Sequence, residues 1–180
     1  MQVDRARQIA EKLLADALPQ RWAHTQGVAA AARRLAPILG DDAELLEAAA
    51  WLHDIGYAPT IAHLGFHPLD GARYLRDVEN ADPRVCVLVA HHTGALQAAR
   101  DCGLGEELER EFPPPPEFLA DAITYCDLTT SPDGEKVGAE ERVADIVRRY
   151  GADHPVGKGA INSRLSWFAS VRRIEARLGA

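Results

Sequence analysis

The chain of 180 residues has few aromatic residues (6%) and only three cysteines. No apolar run approaches the length of about 18 residues that a membrane-spanning helix needs, and MQVDRARQIAEKLL predicts a charged amphipathic helix with no signal-peptide core. Cys86, Cys102 and Cys126 form no CxxC pair, so we expect reduced thiols and a cytoplasmic protein. The net charge of −7 argues against binding to a nucleic-acid polymer or an anionic membrane.

Apolar residues recur at helical spacing along nearly the whole chain, which predicts an all-α protein. Predicted helices cover roughly residues 4–17, 20–36, 42–54, 67–78, 82–92, 116–127, 138–150 and 161–178. The Val-rich segment 82–92 could also be a strand, but Asp82-Pro83 is typical of a helix start, and a short buried helix is predicted. Residues 113–116, all proline, predict a stiff connector, and TTSPDGEKVG predicts a loop.

Several ionisable residues lie where the apolar pattern requires core residues. They are His24, His53, Asp54, His67, His91, His92 and Asp127. A single buried histidine or carboxylate is usually paired or hydrogen-bonded, but that explanation weakens when it must be repeated for a whole set. Imidazole and carboxylate are ligands of divalent metals, and facing helices can direct them to one point. The set therefore predicts a metal site between helices.

The stretch WLHDIGY places His53 and Asp54 side by side at the end of an apolar helix. Neighbouring residues differ by about 100° around a helix, so both side chains can face one centre only where the helix ends. Ile55-Gly56 supplies that ending. We therefore expect the helix to stop here and both side chains to reach the same site.

The ordered set His24, His53-Asp54 and Asp127 resembles the signature of the HD-domain superfamily of metal-dependent phosphohydrolases. The HDIG form is present at residues 53–56, and the resemblance covers roughly residues 20–150. It implies a single-domain, HD-type helical bundle with the metal site in its core. The implied organisation is an N-terminal helix (1–19), the HD domain (20–150) and a C-terminal helix (151–180) packing on the same domain.

The resemblance also implies a ligand set for a dinuclear variant of the family. The first metal would be held by the four signature residues His24, His53, Asp54 and Asp127. His67 and His91 would hold a second metal, with Asp54 bridging. His92 would replace or join His91, or support a ligand without binding metal. The implied ions are two divalent cations, iron or manganese, with cobalt, nickel or magnesium as alternatives.

The implied activity is hydrolysis of a nucleotide or other phosphoester, as a phosphomonoesterase or phosphodiesterase, by a metal-activated hydroxide. The expected partner is therefore a small phosphorylated molecule, and a homodimer is a possible oligomeric state. Besides Asp54, the candidate catalytic residues are Arg73 and Lys136, which would stabilise charge on the phosphoryl oxygens. The candidate substrate contacts are Tyr57, Thr129 and Arg142. Each has an alternative role in surface solvation, capping or packing.

The motifs do not assign a subfamily. HHTG is similar to the His-Thr-Thr-Gly of dinucleotide polyphosphate hydrolases, but Tyr57 stands where those enzymes usually have lysine. The Gly-Tyr-Pro of the cyclic-dinucleotide phosphodiesterases and the acidic residues of the (p)ppGpp hydrolases are absent. Two other functions stay open: a di-iron oxygenase of the same superfamily that cleaves a C–C or C–P bond, and an HD module that binds a nucleotide without turnover. The intact ligand set counts against the binding module.

Overall fold

In the computed structural model, which describes residues 1–179, the chain is built from helices joined by turns and short loops. No strand occurs among these residues, so the predicted all-α class is confirmed. No helix in this range is long and apolar enough to cross a membrane. The helices are α1 (Val3–Leu14), α2 (Pro19–Arg34), α3 (Ala36–Leu39), α4 (Ala43–Leu52), α5 (His67–Asp77), α6 (Pro83–Ala90), α7 (Ala95–Asp101), α8 (Gly105–Glu111), α9 (Glu117–Leu128), α10 (Ala139–Tyr150) and α11 (Pro155–Leu178).

Capping groups explain where two of these helices begin. The side chain of Asp82 accepts a hydrogen bond from Arg84 N at 2.9 Å, which caps α6 and favours the helix over the alternative strand. α11 begins at Pro155, earlier than the predicted start at residue 161, because the side chain of His154 accepts from Val156 N at 3.2 Å. Proline at the first position is also compatible with a helix start.

Three helices, α3, α7 and α8, were not predicted from the sequence. They contain four, seven and seven residues. Such lengths span two turns or fewer, so the sequence shows too few repeats of an apolar face to reveal a helical period. α7 and α8 fill the connection between α6 and the prolines before α9.

One large hydrophobic core joins the first nine helices, with α2, α4 and α9 packed closely together. Fully buried side chains from successive helices meet there, including Leu14, Leu46, Leu69, Leu88 and Ile123. Each fully buried leucine or isoleucine contributes about 1.5–3 kcal/mol through loss of contact with water. The core fixes the helices that carry the clustered histidines and aspartates.

A smaller cluster attaches α10 and α11 to the rest of the molecule. Leu128 of α9, Val143 of α10, and Ala160 and Val171 of α11 are buried together. α11 also places Ile174 in the large core. The last two helices therefore cover the end of α9 that carries Asp127.

Candidate metal centre

The end of α4 explains why His53 and Asp54 are adjacent. His53 still has helical backbone angles (φ −57°, ψ −35°), whereas Asp54 leaves the helix (φ −106°, ψ 5°) and is followed by a 3₁₀ turn over Ile55–Tyr57. Both side chains are buried, and His53 Nε2 lies 3.3 Å from Asp54 Oδ2. The helix ends where the sequence predicted, and the two neighbours face the same region.

Gly56 sets the distance between this turn and the start of α5. A Cβ atom at Gly56 would lie 1.9 Å from the backbone oxygen of His67, so only glycine fits. This close approach brings His67 Nε2 to within 3.5 Å of Asp54 Oδ1. The glycine of the HDIG sequence is therefore a packing requirement of the site.

Two groups of possible metal ligands form in this region. The first contains His24, His53 and Asp127, whose nearest ligand atoms all lie within 4.8 Å of one another, with His24 Nε2 3.0 Å from Asp127 Oδ1. These residues come from α2, the end of α4 and α9. Helices far apart in sequence thus place two imidazoles and a carboxylate at one point.

The second group contains Asp54, His67 and His92, again with ligand atoms within 4.8 Å of one another. The Nε2 atoms of His67 and His92 are 3.0 Å apart, and His92 Nε2 lies 3.8 Å from Asp54 Oδ1. Asp54 therefore faces His53 with one oxygen and the second group with the other.

The backbone orients three of the imidazoles. The Nδ1 atoms donate to carbonyl oxygens: His24 to Ser131 at 2.9 Å, His53 to Ala50 at 2.8 Å and His92 to Val89 at 2.7 Å. With the proton on Nδ1, the Nε2 lone pairs are free to bind a metal, as in proteins whose ligand histidines are held by an outer hydrogen bond. Within residues 1–179, the buried Nε2 of His53 has no hydrogen-bond partner. The donor set therefore fits divalent cations.

Local charges keep the carboxylates ionised. Burial alone would raise the pKa of Asp54, but the positive charge of Arg21, followed by the contact with His53, holds that pKa well below its usual value. Burial opposes ionisation of Asp127 too, whereas its close contact with His24, whose Nε2 lies 3.0 Å from Asp127 Oδ1, contributes most to lowering that pKa.

The histidines of the second group are neutral at neutral pH. Burial, and then the neighbouring His92, lower the pKa of His67. Burial followed by His53 lowers the pKa of His92. Metal ligands need deprotonated carboxylates and neutral imidazoles, so the carboxylate and the two imidazoles of the second group are held in the required state.

Arg21 is a site residue that the sequence analysis missed. Its Nη1 donates to Asp54 Oδ2 at 2.6 Å, and its guanidinium carbon lies 3.9 Å from the centroid of the Tyr57 ring. Tyr57 stacks in turn on His67, with ring centroids 3.9 Å apart. Arg21 precedes His24 by three residues on α2, so the two share a helix face, and this spacing was the signal available in the sequence.

A pocket with a volume of about 170 Å³ opens over both groups. Tyr57 and Arg142, two of the expected substrate contacts, line this pocket. Arg21, Arg149 and Tyr150 line it too and were not expected. Arg142, Arg149 and Tyr150 belong to α10 and reach the pocket only because α10 packs beside it, which no local pattern of the sequence reveals.

The sequence named His91 first as a ligand of the second metal, but the structure places its side chain away from both groups. The Nε2 of His91 donates to Phe112 O at 2.7 Å, and His91 belongs to neither group. His92, the alternative named from the sequence, lies beside Asp54 and His67 instead. The two histidines follow each other at the end of α6, where one residue changes the direction of a side chain by about 100°.

Three further residues expected at the site do not line the pocket over the ligand groups. Arg73 pairs with Glu107 and Glu111 of α8, because it follows His67 by six residues and so points about 120° away from it around α5. Lys136 is exposed in the loop after α9 and does not line the pocket. The hydroxyl of Thr129 donates to Tyr125 O at 2.7 Å, which caps α9, and this residue does not line the pocket either.

Packed helices with histidines and aspartates clustered in their core define a class of all-α proteins built around a metal site. A family model, the HD domain, matches residues 21–129, and the chain belongs to this family of metal-dependent hydrolases. No curated protein and no solved structure gives a significant match. The matched range includes both ligand groups and leaves α10 and α11 outside.

Proposed function

We propose that this protein is a metal-dependent phosphohydrolase that acts on a small phosphorylated molecule, such as a nucleotide or another phosphoester. The observation that carries the proposal is the position of Asp54 between the two ligand groups. Its Oδ2 lies 3.3 Å from His53 Nε2 and its Oδ1 lies 3.5 Å from His67 Nε2. A carboxylate that faces two sets of imidazoles is the expected bridge of a two-metal site.

The residues divide between two ions. One ion would be held by His24, His53, Asp54 and Asp127. The other would be held by Asp54, His67 and His92. Divalent ions at these positions would supply Lewis acidity, which polarises a phosphoryl oxygen and lowers the pKa of the attacking water.

The protein itself contributes position and positive charge. Arg21 fixes one oxygen of Asp54 and, through the ring of Tyr57, supports His67. Arg142 and Arg149 line the same pocket, so three guanidinium groups surround the space above the ligand groups. Guanidinium donors suit phosphoryl oxygens in both charge and geometry, which favours a phosphorylated substrate.

The first test is metal analysis of freshly purified protein, followed by a screen of nucleotides and simple phosphoesters with Mn²⁺, Fe²⁺, Co²⁺ and Ni²⁺. We expect about two ions per chain at saturation and hydrolysis that a chelator abolishes. Firmly bound iron with oxygen uptake on a small polyol or phosphonate, and no phosphoester hydrolysis, would assign the oxygenase chemistry instead. Nucleotide binding without turnover would assign a binding module.

The second test is Asp54→Asn, which removes the bridging charge and keeps the shape of the side chain. We expect kcat/KM for the best phosphoester to fall at least about 100-fold, or about 2.7 kcal/mol of transition-state stabilisation. If Asp54 served only to end the helix, asparagine would replace it well. Near wild-type activity in a folded Asp54→Asn protein would therefore contradict the interpretation of Asp54 as a metal ligand.

Asp121→Asn is the matched control for this variant. Asp121 is also buried and also paired with an arginine, accepting from Arg173 Nε and Nη2 at 2.6 Å each, but it faces α11. Both variants should lose roughly 1–3 kcal/mol of stability, the range for hydrogen bonds to charged groups. Only Asp54→Asn should lose activity and bound metal.

A further inference from the structure

A second cleft, with a volume of about 160 Å³, adjoins the metal-centre pocket on the side of the second ligand group. Six residues line both spaces: Tyr57, His67, His92, Thr93, Val156 and Trp167. The two spaces therefore meet, and the junction lies beside His67 and His92. A molecule whose reacting group sits at the ligand groups can extend into this cleft.

The cleft differs chemically from the pocket over the ligand groups. The pocket has three arginines in its walls, whereas no arginine or lysine among residues 1–179 lines the cleft. Its walls are mostly apolar and include Phe66, Ala95 and Ala98, while Asp101 adds a negative charge. The pocket thus favours an anionic group, and the cleft favours an uncharged, apolar group and disfavours an anionic one.

The volume of the cleft limits what it can hold. An apolar protein cavity of about 150 Å³ holds one benzene molecule. A cleft of about 160 Å³ is therefore suited to a single six-membered ring.

The junction carries two polar groups without partners. Thr93 Oγ1 and Trp167 Nε1 are buried and have no hydrogen-bond partner among residues 1–179. Thr93 also has a positive φ of 34°, a conformation that β-branched residues rarely adopt. Backbone strain of this kind persists where the surrounding structure enforces it, often at ligand sites. Both side chains therefore carry a donor hydrogen beside the cleft that no residue of this range accepts.

We propose that the cleft binds the alcohol part of the substrate, which is a phosphoester of a compact, uncharged, single-ring alcohol. This inference rests on the proposed phosphohydrolase function. Water adds its oxygen to phosphorus, the bond from phosphorus to the ester oxygen breaks, and the alcohol leaves with a proton from that water. Phosphate remains beside the arginines while the ring occupies the cleft.

One wall of the cleft comes from α11, which lies outside the residues that match the family model. Val156, Ala160 and Trp167 belong to this helix and line the cleft. The cleft is therefore built partly by residues outside the range that matches the HD domain, so the HD-domain match does not account for this part of the recognition site.

The first experiment compares two alkyl phosphates that differ in the ring. With the Mn²⁺-loaded protein we expect kcat/KM for benzyl phosphate to exceed that for methyl phosphate by about 10- to 100-fold, the range for filling an apolar pocket. Ala98→Leu, at an exposed position that lines the cleft, should remove most of this preference. Ala176→Leu is the control, since it makes the same change at an exposed position of α11 away from the cleft.

The second experiment measures binding without turnover. Calorimetric titration of the same proteins with benzylphosphonate and methylphosphonate should give a similar preference, again lost in Ala98→Leu and kept in Ala176→Leu. Equal affinity for the two phosphonates, or equal effects of the two variants, would overturn the proposal. A preserved binding preference with no hydrolysis of either phosphate would support the cleft and reject the phosphohydrolase function.

Discussion

The adjacent residues His91 and His92 allow a sharp test of the second ligand group. His92 Nε2 lies 3.0 Å from His67 Nε2 and its Nδ1 donates to Val89 O, whereas His91 Nε2 donates to Phe112 O. We therefore expect His92→Ala to reduce bound Mn²⁺ from two ions per chain to one. His91→Ala should leave both ions in place.

The two variants should differ in how much metal affinity and folding stability they lose. Loss of a group that hydrogen-bonds to a metal ligand costs about 10- to 100-fold in metal affinity, so loss of a ligand itself should cost at least about 100-fold, or about 2.7 kcal/mol. His91→Ala removes one hydrogen bond to a backbone oxygen, which costs about 1 kcal/mol of folding stability and none of the metal affinity.

The assay is a calorimetric titration of metal-free protein with Mn²⁺, together with elemental analysis and urea unfolding of each variant. Unfolding measurements show whether a loss of metal follows from a loss of structure. If His91→Ala lost one ion and His92→Ala kept two, the assignment of the second group would be reversed. Two ions in both variants would show that neither histidine is a ligand.

Two further predictions concern stability. Gly27→Ala should destabilise the fold by about 1–3 kcal/mol, because the new Cβ would lie 2.4 Å from Gly134 O. Gly159→Ala should not destabilise it, since the new Cβ would meet no atom within 4 Å beyond its neighbours in the same helix, and thermal unfolding distinguishes the two variants. The hydrogen bond that Glu111 accepts from Arg73 lowers the pKa of Glu111 from the usual 4.5 to about 2. The stability that this pair contributes is therefore fully present above pH 4.5 and is lost as the pH falls through about 2. The Tm difference between wild type and Glu111→Gln should accordingly shrink to nothing by about pH 2, and a constant difference would contradict the pairing.

Local sequence determined the helices and the candidate ligands. Periodic apolar residues located the long helices, since a helix must bury one face and repeats it every three to four residues. The histidines and aspartates stood out because a charged or polar residue on such a face needs a partner. Gly56 similarly marked the end of α4 directly after the His53-Asp54 pair.

Tertiary packing alone decided which polar residues meet. The sequence could not choose between His91 and His92, because their directions depend on how α6 ends and on where Phe112 lies. The pairing of Arg21 with Asp54 joins residues from two helices, and the ion pairs of Arg73 with α8 remove a cation that the sequence had assigned to the site.

The last two helices show the same limit most clearly. The sequence predicted α10 and most of α11 as amphipathic helices, but their periodicity indicates only that one face is buried. Packing of Leu128, Val143, Ala160 and Val171 places these helices over the end of α9, and so brings Arg142 and Trp167 to the pocket. Sequence determines which residue types each helix offers, whereas the side chains that share a pocket depend on contacts between distant segments, which only the folded chain forms.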